Sequence, residues 1–142
     1  MSPLKPLKVA ILLIIFAALV MVSTALFYSF YYVVDVREVG MKLMVAEFGG
    51  FDNNPVNLTF GAVSPGDSSE RGLIIKNVYN MPVRVKIHLS GELAPFVDLK
   101  ESDFVLQKYQ NKTIRATAIA PVDYPVNRTL YGKVRVLFVR TW

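Results

Sequence analysis

Residues 9–34 read VAILLIIFAALVMVSTALFYSFYYVV, and the reading of this stretch decides how the remainder of the chain is organised. It holds no charged residue, no Pro and no Gly. As a helix of about 26 residues, rising roughly 1.5 Å per residue, it is long enough to cross a hydrocarbon core about 30 Å thick. The stretch is therefore read as one transmembrane helix, with a basic leader over residues 1–8 before it and a folded aqueous domain over residues 35–142 after it.

The flanks set the expected direction. The leader MSPLKPLK carries Lys5 and Lys8 and no acid, whereas Asp35, Arg37, Glu38 and Lys42 on the far side give no excess of bases. By the positive-inside rule the N-terminus is cytoplasmic and the C-terminal domain lies outside the cell membrane. Tyr28, Tyr31 and Tyr32, together with Phe30, suit an aromatic belt at the outer interface. Ser23, Thr24 and Ser29 are the small polar residues of the helix, placed either for a helix–helix contact or with their hydroxyls bonded to their own helix. Two rival readings use the same stretch. A signal peptide cut after Ala25 fits Ser23 and Ala25, but the apolar run continues to Val34, beyond the usual h-region of about 7–15 residues. A pilin-type leader fits the basic start, although the helix lacks the glutamate of mature bacterial type IV pilins.

A chain of 142 residues leaves room for one anchor and one domain of roughly 100 residues, enough for a core without disulfides or metals. The absence of Cys excludes disulfides, thiol catalysis and Cys-based zinc or iron–sulfur sites. Setting Lys5 and Lys8 aside lowers the net charge of +5 to about +3, and the remaining bases alternate with apolar residues, so no nucleic-acid partner is expected.

The exported part alternates at period two, the mark of strands with one wet face. Strands are predicted over Val39–Phe48, with Val39, Met41, Leu43 and Val45 on one face, and over Val56–Val63, with Val56, Leu58 and Phe60 inward and Asn57 and Thr59 outward. Others follow at Arg71–Val78, Val83–Leu89, Phe104–Leu106, Thr113–Ala120 and Leu130–Val139. The clearest is Val83–Leu89, where Val83, Val85, Ile87 and Leu89 oppose Arg84, Lys86 and His88. Turns fall at Gly49–Pro55, at Ser64–Asp67, where Pro presets φ and Gly supplies positive φ, at Tyr79–Pro82 and at Pro121–Asn127. The section from Ser90 to Gln107 is looser, and Asp35 to Gly40 is a short connection with no flexible linker. Short strands with regular turns and no amphipathic helix predict an all-β domain, an Ig-like antiparallel β-sandwich.

The stretches SPGDSSERGLIIKNVYNMPVRVKIHLSG (64–91) and APVDYPVNRTLYGKVRVLFV (120–139) resemble the membrane-anchored Ig-like and fibronectin-like modules of prokaryotic, especially archaeal, surfaces. The shared features are a PG turn before a strand that ends in Asn and a late Y-G-x-V-x-V element. The plan of hydrophobic segment, strand, PGD and strand is also similar to the camelysin and TasA class of fibre subunits, and to the one-helix-plus-sandwich plan of the archaellum stator proteins. The resemblance implies a β-sandwich fold and a place at the cell surface, alone or in a filament.

Chemistry-bearing residues are few. His88 stands alone on a polar face, without the companions a zinc site needs. No nucleophile-elbow, phosphate-loop or dinucleotide pattern is present, so no catalytic residue, cofactor or metal is assigned. Asp98, Glu101 and Asp103 offer oxygens for calcium but lack the register of a calcium loop, and read as solvated loop acids. Arg84, Lys86, Lys133 and Arg135 form a candidate basic face, either for docking on an acidic surface or for guarding exposed strands against aggregation. Three of the seven asparagines, Asn57, Asn111 and Asn127, open N-x-Thr sequons, which marks them as glycosylation candidates. The expected partners are the lipid bilayer and other envelope or membrane proteins, including further copies of this chain. The expected role is a non-enzymatic membrane-anchored subunit of an envelope assembly, with a filament subunit and an accessory subunit of a membrane enzyme as alternatives.

Overall fold

In the computed structural model, which describes residues 4–47, 49–50 and 57–141, the chain forms an N-terminal apolar helix and two β-sheets. Contacts divide it into two compact units, Met1–Val34 and Asp35–Trp142. Helix α1 spans Leu4–Phe27, beginning inside the basic leader, and continues as a π-helical turn over Tyr28–Tyr32. Strand β1, Val33–Val45, follows at once, so residues 35–40 are the first half of a strand and not a connection. Residue type explains the early switch. Val33, Val34 and Val36 are β-branched and interleave with Asp35 and Arg37, a sequence better suited to a pleat than to a helix.

The remaining strands are β2 (Leu58–Val63), β3 (Ser68–Lys76), β4 (Val83–Gly91), β5 (Val97–Leu99), β6 (Asp103–Leu106), β7 (Asn111–Ile119) and β8 (Arg128–Arg140). One sheet is ordered β2-β1-β8-β4-β6 and the other β3-β7-β5. β4 and β8 pair antiparallel without interruption from Val83↔Arg140 to Gly91↔Gly132, and β3 and β7 from Ser68↔Ile119 to Lys76↔Asn111. β1 runs against β8, since Asn127 N donates to Val45 O at 2.7 Å while Glu38, near the other end of β1, meets Arg135.

Among the described residues the pairing is not purely antiparallel. β1 and β2 are parallel, from Met41↔Leu58 to Val45↔Val63, with a register shift between Lys42 and Met44. The chain between them, residues 46–57, has the dozen residues or so that a crossover connection requires.

The cores of both sheets follow the alternation. Met41, Leu43 and Val45 of β1 are buried, as are Val83, Val85 and Ile87 of β4 and Val134, Val136 and Phe138 of β8, while Arg84 and His88 are exposed. Thr59 does not face outward as expected but is buried. The side chains of β3 cover this edge strand: Ser69 Oγ donates to Phe60 O at 2.7 Å and Arg71 Nε to Thr59 O at 3.0 Å. Two carbonyls of an edge strand are thereby occupied, which discourages further pairing there. The short β5 lies in the section read as loose, because three residues are too few for a periodic signal. Phe48 and the Asp52–Val56 part of the expected turn and second strand lie outside the described residues.

Candidate functional site

The strand body has two ends, named here by the course of β1. At the entry end β1 begins, β3 and β8 finish, and the loops 77–82 and 107–110 lie side by side. At the far end β1 and β2 finish and the turns 64–67 and 120–127 meet, with Gly66 N donating to Ala120 O at 2.9 Å.

The entry end is organised by Asn77, a fully buried polar side chain. Its Nδ2 donates to Met81 O at 2.8 Å and to Gln107 O at 2.9 Å, and its Oδ1 accepts from Tyr79 N at 3.0 Å. Its backbone N donates to Gln110 O at 2.9 Å. One amide thus satisfies both loops, as a polar group without access to water must. Beside it, Arg37 Nε donates to Asp35 Oδ2 at 2.9 Å, and the Arg37 guanidinium lies 4.8 Å from the centre of the Phe138 ring. Tyr79 meets the same ring edge-on, with centroids 6.5 Å apart. Burial pushes the Asp35 carboxyl up, but the hydrogen bonds from Arg37 and Tyr79 and the charge of Arg37 outweigh it and hold it below its ordinary value. Burial, then the hydrogen bond to Asp35 and its charge, push the Tyr79 phenol up.

The four bases of the candidate face share the outer side of the five-stranded sheet. Arg84 and Lys86 alternate along β4, and Lys133 and Arg135 stand on β8 opposite Ser90 and His88. The structure adds acids that the alternation did not reveal. Arg84 binds Asp103 through two bonds of 2.7 and 2.8 Å, and Arg135 binds Glu38 through bonds of 2.9 and 2.7 Å. The hydrogen bond from Arg84, helped by the charges of Arg84 and Lys86, outweighs desolvation and holds the Asp103 carboxyl below its ordinary value. The hydrogen bond and charge of Arg135, with Lys133 adding to them, do the same for Glu38. Both arginines are therefore tied within the sheet.

Asn57, Asn111 and Asn127 are all exposed. Asn57 precedes β2, Asn111 opens β7 at the entry end, and Asn127 adopts φ +65° at the far end. His88 is exposed on the outer face, Glu101 pairs with Lys112, and Asp103 is committed to Arg84, so the three acids weighed for calcium do not converge. Among the described residues no group of three metal-ligating side chains occurs. In the helical unit Tyr28 stacks on Tyr32 and Phe27 on Tyr31, at 4.9 and 5.0 Å. Thr24 Oγ1 donates to Val20 O at 2.8 Å, the own-helix alternative.

Neither the role of Asn77 nor the Asp35–Arg37–Tyr79 cluster was visible in the sequence, apart from the Asn that closes a β-branched strand. No protein-family model, curated protein or solved structure matches the chain.

Proposed function

We propose that this chain is a non-enzymatic, single-pass membrane protein whose Ig-like β-sandwich, held outside the cytoplasm, serves as a structural or protein-interaction subunit of a cell-envelope assembly. The observation that carries this reading is the segment Lys5–Tyr32, 28 residues long, whose apolar window is 0% buried among the described residues. A helix apolar on every side and exposed along its length calls for an apolar phase. The backbone passes from it directly into β1, an interior strand of the five-stranded sheet, so the anchor is continuous with the domain's hydrogen-bonded framework.

The β3-β7-β5 and β2-β1-β8-β4-β6 orders, with non-consecutive neighbours in both sheets, support the Ig-like reading. Lys5 and Lys8 favour a cytoplasmic N-terminus. Membranes from cells making the chain should retain it through alkaline carbonate washing, and protease added from outside should digest the domain in intact spheroplasts. Release by carbonate at full mass would sink the proposal. Purification in mild detergent should then yield a complex of fixed size, whose other components name the assembly. Catalytic subunits among them would make the chain an accessory of a membrane enzyme.

The place of β1 favours a second reading. Being N-terminal and flanked by β2 and β8, it is a strand that a neighbouring copy could supply in a filament. Fibres containing this chain in detergent-free surface preparations would establish that reading in place of the first.

A further inference from the structure

The two ends of the strand body differ in charge. Among the described residues the turns of the far end carry Glu47, Asp67, Glu92 and Asp123, with Arg128 as the nearby base. The entry-end loops carry Lys76 and Lys108 and no acid between residues 76 and 82 or between 107 and 112. The acids beside them are paired, Asp35 with Arg37 and Glu101 with Lys112. Lys76 and Lys108 are both exposed.

The loops also present apolar surface, as the far-end turn does at Val122, but here it stands beside the lysines. Val78 is 48% exposed and Tyr109 is 61% exposed. Tyr109 moreover holds φ +58°, a left-handed conformation that a bulky residue adopts rarely and that Gly would adopt without strain. A strained, exposed aromatic at a loop tip is a pointer to use. Asn77 fixes the two loops to each other through its bonds to Met81 O and Gln107 O, so the tips are presented by a rigid base.

From this we infer that the entry end is a lipid-docking foot: Tyr109 and Val78 enter the headgroup region while Lys76 and Lys108 pair with anionic headgroups. The inference rests on the membrane-anchored reading above. Chain continuity supplies the occupant, since Tyr32 ends the segment assigned to the bilayer and Val33 begins β1 at this end of the body. The charge pattern selects the lipid, because basic loops lower their energy against an anionic surface while the acidic far end is repelled from it. An exposed Tyr beside Lys suits the interface, the phenol and ammonium remaining wet while the ring and stem are buried.

The chain has no Cys, so single labels report without background. The full chain is reconstituted in vesicles of phosphatidylcholine with phosphatidylglycerol. It carries a fluorophore at Asn80→Cys in the entry-end loop, at Val122→Cys in the far-end turn, or at Phe16→Cys in the helix. The Phe16 label should be quenched by nitroxides deep in the acyl chains, which checks the anchor independently. The Asn80 label should be quenched by headgroup nitroxides and the Val122 label should not. Replacing Lys76 and Lys108 by Gln should reduce the ratio of docked to undocked domains about fivefold for each lysine, roughly thirtyfold together. Vesicles of phosphatidylcholine alone should give a similar loss.

A quenched Phe16 label with equal, weak quenching at Asn80 and Val122 overturns the foot and leaves the anchor standing. Quenching at Asn80 that is indifferent to both lysines and to anionic lipid overturns the electrostatic part. An unquenched Phe16 label overturns the anchor, and the foot with it.

Discussion

The two ends of the strand body turn the chain with different chemistry. At the far end Pro65 and Gly66 make a turn closed by Asp67 N to Ser64 O at 3.0 Å, with Gly66 at φ +86°. Positive φ there also falls on Gly91, at +91°, and on Asn127, a residue type that tolerates it. Each position has the residue that its backbone favours. At the entry end the positive φ falls on Tyr109, inside a turn closed by Gln110 N to Gln107 O at 3.1 Å, and a buried amide ties this turn to the neighbouring loop. The far end meets each left-handed position with a residue suited to it, whereas the entry end joins its two loops through the Asn77 side chain and presents a residue its backbone disfavours. Such a departure from the locally favoured choice is expected where a surface has work beyond folding.

If that contrast holds, the largest response should come from Asn77. Asn77→Ala leaves Met81 O, Gln107 O and Tyr79 N without their partner in a half-buried site, and should destabilise the domain by about 1–3 kcal/mol. Denaturant unfolding followed by circular dichroism measures it. A loss within error of zero would mean that the loops do not depend on this amide, and the contrast between the ends would fail.

Gly66→Ala tests the far end. The added methyl would stand 3.6 Å from Val122 Cγ2, an ordinary contact, so the effect isolates the left-handed backbone and should cost about 1 kcal/mol. Tyr109→Gly should act oppositely, stabilising the fold by roughly 0.5 kcal/mol while weakening the quenching of an entry-end label by headgroup nitroxides. Stability and docking would then move in opposite directions. A Tyr109→Gly variant that is less stable would show the ring to be packed for the fold, and would remove the reason for treating its strain as functional.

How much of this was readable from the residues depended on the range of the interaction. Val83–Ile87 declared its strand because one face is buried and the other wet, and the alternation is complete within five residues. The same alternation placed Arg84, Lys86, Lys133 and Arg135 on one face. It did not reveal their partners, since Glu38 lies 97 residues from Arg135 and only β1 beside β8 brings them together. The start of β1 was hidden for a different reason. Val33 and Val34 extend an apolar run, and hydropathy alone cannot separate the last turn of a helix from the first pleat of a strand. The parallel β1–β2 pair and the reach of Asn77 depend on crossovers and loop packing that no local pattern encodes.

The smallest effect concerns pH and belongs to the entry end. Asp35 is held below its ordinary value in the folded chain, so its contribution is present at neutral pH and is lost as pH falls from the ordinary carboxylate range through the lowered folded value. Glu38 and Asp103 add to the same acid limb, since their carboxyls are also lowered. Tyr79 is raised, so its contribution is present below the ordinary phenol range and fades only as alkaline pH passes through the raised value. The unfolding midpoint should accordingly hold level for these groups across neutral pH and decline on both sides. Asp35 is partly exposed, and solvent screening keeps its share under about 1 kcal/mol. Asp35→Asn should therefore shallow the acid limb, and by removing the charge that raises Tyr79 it should also bring the phenol's titration nearer its ordinary position. An ultraviolet titration of the phenols in wild type and variant reads that shift directly. If the phenols of the two titrate identically, Asp35 and Tyr79 are not coupled, and the cluster beside Asn77 reduces to the stacking of Arg37 and Tyr79 on Phe138.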